Sequence, residues 1–164
     1  SGAGHIDFCQ TGYSLLWTHR EKDVVPYCIS KKINIIGYSF YSQGLLLKGN
    51  ITADTGILNS GRKNLVFLKK ENIDITLEII RQLDAVSKST GFTKPDLLTG
   101  WGSSKTWLTG ILTGASSKKQ LLETTGSVNK QLSSDIIQKL DSIALIGLNI
   151  TDTGNIFSHN QAVY

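Results

Sequence analysis

The residues of this chain that are best suited to bind an anion form a short run in its last third. Ser116 and Ser117 are followed by a pair of lysines and then by Gln120, where an apolar periodicity begins. Serine commonly caps helices, and the N-terminus of a helix carries partial positive charge that nearby lysines reinforce. The run therefore predicts either an anion site at a helix N-terminus or an ordinary helix cap with solvated lysines.

Other residue types that often do chemistry are scattered. Cys9 and Cys28 stand among apolar neighbours without further Cys or His at ligand spacing. This pattern favours buried free thiols over a disulfide or a zinc site, and it suggests a reducing compartment, which we expect to be the cytoplasm. Asp7 and Glu21 show no spacing typical of a general acid and base. We expect no metal centre.

Composition narrows the class of protein. The chain has 164 residues, with 17 basic and 13 acidic side chains and a net charge of +4. The basic residues occur as scattered pairs and form no stripe, which argues against a nucleic-acid partner. No apolar run exceeds four residues, far short of the roughly 18 that cross a bilayer. The sequence contains no Met, so we expect a processed chain or a piece of a longer one.

Apolar spacing predicts strands alternating with helices, an order that implies a parallel α/β sheet. The predicted strands cover residues 5–10, 33–38 and 106–113. The predicted helices are one of about ten residues after the first strand, a strongly amphipathic one at 73–90, a weak one from Thr93, one from Ser116 and one from Ser133. A long loop at 39–70 has one helical turn near Phe67. We expect a domain at 1–146 and an irregular tail at 147–164.

Four stretches occur in the order in which one enzyme family carries its last motifs. They are Q-T-G-Y-S-L-L at 10–16 with R-E at 20–21, I-G-Y-S-F-Y-S-Q-G-L-L at 36–46, Trp101, and G-A-S-S-K-K-Q-L-L-E at 114–123 followed by L-S-S and L-D-S-I. In this order they resemble the sixth to eighth strands of the aldo-keto reductases. The resemblance covers roughly residues 5–144.

The resemblance implies a partial (β/α)8 TIM barrel, with the ligand site at the C-terminal ends of the strands. It also implies an NADP(H) surface formed by eight residues. These are Gln10 for the nicotinamide carboxamide, Tyr38 stacked on the nicotinamide ring, Ser39, Gly44 and Leu45 along the pyrophosphate, Ser116 and Gln120 at the 2′-phosphate, and Glu123 at the adenine. Taken as residues alone, Tyr38 could instead be a packed aromatic and Gln10 could tie a loop to the sheet.

The departures from the family pattern are as informative as the matches. The catalytic Asp, Tyr, Lys and His of the family come from the first half of the barrel, so we expect no catalytic residue here; His5, His19 and His159 lie outside the matching context. Phe40 replaces a Pro, and Thr99, Gly100 and Gly102 replace apolar residues. Each of these last replacements costs about 1–3 kcal/mol where a packed side chain is lost.

Two kinds of function follow as hypotheses. In the first, the chain is the C-terminal portion of an NADP(H)-dependent reductase of small-molecule carbonyls and is inactive alone. In the second, it is a non-catalytic half-barrel that associates with itself or with a complementary half, or that senses the cofactor.

Overall fold

The computed structural model of the chain describes residues 4–49, 65–128 and 130–151. Three strands and five helices of these residues occur in the predicted order, which confirms the α/β class. The strands are β1 (Phe8–Gly12), β2 (Asn34–Tyr38) and β3 (Leu108–Ile111). The helices are α1 (Val24–Ser30), α2 (Ile73–Thr90), α3 (Lys94–Ser103), α4 (Lys118–Gly126) and α5 (Ser134–Ile146). Short 3-10 turns include Val66–Leu68, where one helical turn was predicted.

The strands form one parallel sheet in the order β1-β2-β3. Phe8 is paired with Asn34 and Gly12 with Tyr38, so β1 begins and ends later than predicted, since pairing rather than local composition sets its limits. Between β2 and β3 the register shifts at Ile35 and Ile36. All three strands point their carboxyl ends toward one edge, as predicted for a parallel sheet.

The two faces of the sheet differ. On one face Ile35 packs with Val25 and Cys28, so α1 covers this face. Because successive side chains of a strand point to opposite faces, Phe8, Gln10 and Tyr38 share the other face. Phe8 is 55% exposed there. This second face is called the open face below.

Helix α3 is complete although its glycines disfavour a helix. Thr93 and Asp96 form a reciprocal capping box at its start. A Cβ atom on Gly102 would lie 2.5 Å from Cζ of Phe40, and one on Gly100 would lie 2.6 Å from Cγ of Leu132. The neighbouring side chains thus occupy the space that the family pattern fills with apolar residues. The loss of packing expected at these positions does not arise.

Two predicted segments are described only in part. Of the long loop, residues 50–64 lie outside the described residues, and so do residues 152–164 of the expected tail, with His159. Residues 147–151 pack on the core: Ile150 is buried, and Asn72 exchanges hydrogen bonds with the backbone of Thr151. The boundary at 146 stays a prediction. Among the described residues no helix is both long enough and apolar enough to cross a bilayer.

Candidate functional site

A cleft of about 520 Å³ lies beyond the carboxyl ends of β2 and β3, bounded by the start of α4. This is the size of a small-molecule site, and the position is the one where parallel α/β folds bind ligands. Its lining comes from three places: the loop after β2, the segment after β3 with α4, and the first turn of α3. The lining residues are Ser39, Phe40, Tyr41, Gln43, Gly44, Leu47, Pro95, Leu112, Thr113, Gly114, Ala115, Ser116, Gln120, Glu123 and Thr124.

The loop after β2, residues 39–44, has a strained backbone. Ser39, Ser42 and Gln43 have φ of 54°, 48° and 56°, in the left-handed region that non-glycine residues rarely adopt, and Gly44 has φ of 84°. A Cβ atom on Gly44 would meet nothing within 4 Å. Glycine is therefore required there by its backbone conformation and not by a close neighbour.

Several amides of this loop close the loop on itself. The amide of Ser42 donates to the carbonyl of Ser39 at 2.7 Å, and that of Gly44 donates to the carbonyl of Tyr41 at 2.9 Å. The amide of Leu45 donates to Ser42, and the Leu45 side chain is buried in the core. Any contact of Gly44 or Leu45 with a phosphate through these amides would have to compete with the internal bonds.

The serine and lysine run, predicted to be an anion site or an ordinary helix cap, forms the start of α4. Ser117 is the N-cap, and its hydroxyl accepts from the amide of Gln120 at 3.2 Å. The side-chain oxygen of Gln120 accepts from the amide and the hydroxyl of Ser116, both at 2.8 Å. The run is a cap in this structure. To bind the amide and the hydroxyl of Ser116, an anion would have to displace the side-chain oxygen of Gln120.

Charge at this end of the cleft is mixed. The ammonium of Lys119 lies 3.9 Å from a carboxylate oxygen of Glu123, one turn further along α4. The pair is exposed, so it contributes little to stability. The lysines make the helix N-terminus more positive, whereas Glu123 brings a negative charge to the lining.

The structure gathers five of the eight predicted cofactor residues around the cleft: Ser39, Gly44, Ser116, Gln120 and Glu123. It places the other three elsewhere. Gln10 is exposed on the open face of β1, and Tyr38 is half-buried at the end of β2, next to the cleft loop. Leu45 belongs to the core.

Sequence reasoning missed several lining residues. Thr124 follows Gln120 by four positions, so helical spacing alone could have identified it. Gln43 carries a side-chain oxygen that is buried and has no hydrogen-bond partner among the described residues. Pro95 comes to the cleft through the packing of α3, a long-range contact with no local signal. No sequence rule could have named Pro95.

Behind the cleft lies a buried aromatic scaffold. The Tyr13 ring stacks on Trp101 with centroids 5.4 Å apart, and its hydroxyl donates to Glu21 at 2.5 Å. Burial, with this carboxylate, raises the pKa of Tyr13 far above its usual range. The phenol therefore stays neutral and holds the loop after β1 in place. The indole of Trp101 donates to Asp141 at 2.8 Å.

His5, His19 and the two thiols do not line the cleft. His5 is exposed beside Asp7, and the His19 ring stacks on Trp17 at 3.8 Å. Cys28 is buried and Cys9 half-buried, and both are free thiols. Burial is the main cause that raises the pKa of Cys28, and a hydrogen bond with the Cys9 thiol raises it further. Within the described ranges no three His, Cys, Asp or Glu side chains group closely enough to hold a metal ion.

Comparison with known proteins gives these features a context. The family model described as "Aldo/keto reductase family" matches residues 3–145. An NADH-specific methylglyoxal reductase of Escherichia coli is 31% identical over 130 residues, covering 79% of this chain and 39% of the relative. A probable voltage-gated potassium channel subunit beta of Oryza sativa is 23% identical over 141 residues, covering 82% and 42%.

A solved structure shares the fold. The glycerol dehydrogenase of Gluconobacter oxydans aligns with a TM-score of 0.70 at 18% identity and covers 92% of this chain and 46% of its own. The chain thus spans 39% to 46% of the length of these three proteins. Its described part forms an open sheet of three strands.

Proposed function

Because the chain belongs to the aldo/keto reductase family, we propose that it supplies the dinucleotide-binding part of an NADP(H)-dependent oxidoreductase of small-molecule carbonyls. The observation that carries this proposal is the cleft, where a strained serine-containing loop meets the N-terminus of α4 at the carboxyl ends of two parallel strands. The dinucleotide, when bound, supplies the hydride for carbonyl reduction.

The residues present suit the anionic end of such a cofactor. The Ser116 hydroxyl and amide are hydrogen-bond donors, and both donate to the side-chain oxygen of Gln120. They lie at a helix N-terminus, a position that favours phosphate. The face of Tyr38 and the exposed amide of Gln10 suit the nicotinamide end, because an aromatic ring offers contact area at small entropic cost.

Lysines favour NADP(H) over NAD(H) as the cofactor. Lys118 and Lys119 stand in the first turn of α4, where a 2′-phosphate would gain from their charge and from the helix dipole. The E. coli relative is named NADH-specific, and Glu123 in the lining would disfavour a second negative charge. The pairing of Glu123 with Lys119 reduces that penalty.

A proton donor for the carbonyl is the part that this chain would not provide. Tyr41 and Glu123 are the titratable side chains that the described cleft lining contains. The Tyr41 hydroxyl is held by Thr99 at 3.0 Å in the core, and Glu123 lies on the exposed side of α4. We propose that the catalytic Asp, Tyr, Lys and His belong to residues outside this chain and that the chain alone does not reduce aldehydes. We also propose a cytoplasmic location, because Cys9 and Cys28 are free thiols and a reducing compartment keeps thiols free.

Titration with NADPH and NADH, followed by tryptophan fluorescence, tests the proposal. The chain should bind NADPH saturably, and the double variant K118A/K119A should lose NADPH affinity by about tenfold while NADH binding changes little, since charge near the 2′-phosphate is removed. The matched control is K31A/K32A, which removes an equal charge at the end of α1, away from the cleft. If a folded sample shows no saturable binding up to millimolar NADPH, the proposal is wrong.

The exposed apolar residues support a second candidate function, association with a complementary half-barrel or with a second copy. Phe8 and Ile6 are exposed at the β1 side of the sheet, and Leu112 is exposed at the β3 side. A parallel sheet with one open face and two edge strands in its described part favours further association. Sedimentation velocity on the wild type and on the Phe8→Ser variant tests self-association. A wild-type chain that stays monomeric at high concentration would exclude it.

A further inference from the structure

We infer that Ser14, which does not line the cleft, is a positioning residue for the cleft loop of residues 39–44. This inference rests on the proposed dinucleotide binding, and it names how the wall of that site is kept in a binding conformation. Ser14 belongs to the segment after β1, whereas the loop follows β2, so the contact joins the ends of two neighbouring strands.

The strained backbone of the loop needs an external restraint. Ser42 and Gln43 are consecutive non-glycine residues in the left-handed region. Such a conformation costs energy and persists only where the surroundings over-determine it. Bonds within the loop hold the amide and the carbonyl of Ser42. Its side chain is fully buried, so a restraint on the hydroxyl has to come from the protein interior and not from solvent.

Ser14 supplies that restraint. The hydroxyl of Ser42 donates to the hydroxyl oxygen of Ser14 at 2.8 Å, and both residues are fully buried. Ser14 is itself fixed by two backbone bonds, because its amide donates to the carbonyl of Trp17 at 3.2 Å and the amide of Trp17 donates to the carbonyl of Ser14 at 2.8 Å. A buried hydroxyl that loses such a partner pays its desolvation cost. The bond therefore selects the left-handed form of Ser42.

Other contacts hold the rest of the loop. Tyr41 bonds Thr99, and Leu45 and Leu46 are buried in the core. The Lys94 ammonium, paired with Asp84 at 2.7 Å, also donates to the carbonyl of Lys48. Loss of the Ser14 hydroxyl should therefore loosen the cleft wall at Ser42 to Gly44 and leave the fold in place.

The test compares Ser14→Ala, Ser42→Ala and the double variant with Thr76→Val. Thr76 is the matched control, since its buried hydroxyl donates to the carbonyl of Phe67 at 2.8 Å outside the cleft. Two readouts are measured on the whole chain: the dissociation constant of NADPH, and hydrogen exchange of peptides covering residues 39–47 without ligand.

We expect Ser14→Ala and Ser42→Ala each to weaken NADPH binding by about tenfold, the size of one buried hydrogen bond. The double variant should be no weaker than either single one, because both remove the same bond. Exchange in residues 39–47 should rise in these variants and stay unchanged in Thr76→Val.

The outcomes separate this inference from the proposed function. If the wild type binds no dinucleotide, the proposed function fails, and the exchange experiment still decides whether Ser14 holds the loop. If Ser14→Ala binds NADPH as the wild type does, or if its exchange in residues 39–47 is unchanged, Ser14 has no positioning role and the inference is wrong.

Discussion

Helices α3 and α4 flank β3 in sequence, and they are stabilised in opposite ways. Helix α3 has three residues of low helix propensity at Thr99, Gly100 and Gly102, yet every residue from Leu97 to Gly102 is buried. Helix α4 has no buried residue at all. Both contribute to the cleft, α3 through its first turn and α4 through its N-terminus.

The difference shows that tertiary packing outweighs propensity in α3, whereas local capping carries α4. Leu121 and Leu122 of α4 are 53% and 59% exposed, so the helix gains little from the core. A helix of this length is marginal in isolation, and the Ser117 cap with the Ser116 and Gln120 bonds is what holds its start. Of the two helices that line the cleft, α3 is therefore fixed by the core, whereas α4 has low local stability.

Truncating the main side chain of α3 should have the largest effect. Trp101→Ala removes a fully buried indole that stacks on Tyr13 and bonds Asp141. The expected loss in the free energy of unfolding is about 3–5 kcal/mol. Urea denaturation measures it. A loss below about 1 kcal/mol would contradict the claim that packing holds α3.

Adding one methyl group to α3 and one to α4 should change the free energy of unfolding in opposite directions. Gly102→Ala places a Cβ against the buried Phe40 ring, and we expect a net loss of about 1–2 kcal/mol. Gly126→Ala, in α4, meets no atom within 4 Å and should stabilise by up to about 1 kcal/mol. Thermal unfolding of both variants checks the pair.

A rescue experiment identifies the cause at Gly102. Phe40→Leu shortens the facing ring, so the combination with Gly102→Ala should be less destabilised than the sum of the two single variants. Additive losses would show that the Phe40 contact is not what requires glycine at this position.

The cap of α3 should matter less and should depend on pH. Asp96→Ala should cost about 1 kcal/mol at pH 7, since it removes the capping box. Burial alone would raise the pKa of Asp96, but hydrogen bonds from the Thr93 side chain and amide lower it overall. A lowered folded pKa means that this stabilisation is present above about pH 4 and is lost as the pH falls through the folded value.

Unfolding curves of the wild type and Asp96→Ala between pH 7 and pH 2 test this dependence. The stability difference between them should shrink at the acid end. A difference that stays constant over this range would mean that the carboxylate form of Asp96 is not what stabilises the helix.

Polar substitutions on α4 should have the smallest effect. Leu121→Ser and Leu122→Ser change exposed side chains, so each should alter the free energy of unfolding of the chain by less than about 0.5 kcal/mol. A larger loss, measured in urea at several protein concentrations, would show that α4 is covered in solution, as the association hypothesis requires.

Much of the fold could be predicted from residue patterns. The amphipathic spacing of residues 73–90 matches α2, and the alternation of strands and helices implied the parallel sheet. The family resemblance, which the comparisons confirm, rests on motifs in the same order. The sequence predicts only a weak helix at α3, whereas the structure has a complete one. The reason is that Phe40 and Leu132 fill the space beside its glycines, and these contacts join segments far apart in the chain.

The sequence by itself determined the order of elements, the serine cap of α4 and the positive charge near that helix start, because propensity, capping and charge act between residues close in the chain. Only the tertiary structure decided that the loop after β2 is left-handed at Ser42 and anchored on Ser14, that Gly102 is matched to Phe40, and that Pro95 reaches the cleft. These depend on distances between segments that meet only when the sheet and helices pack, and no local pattern encodes them.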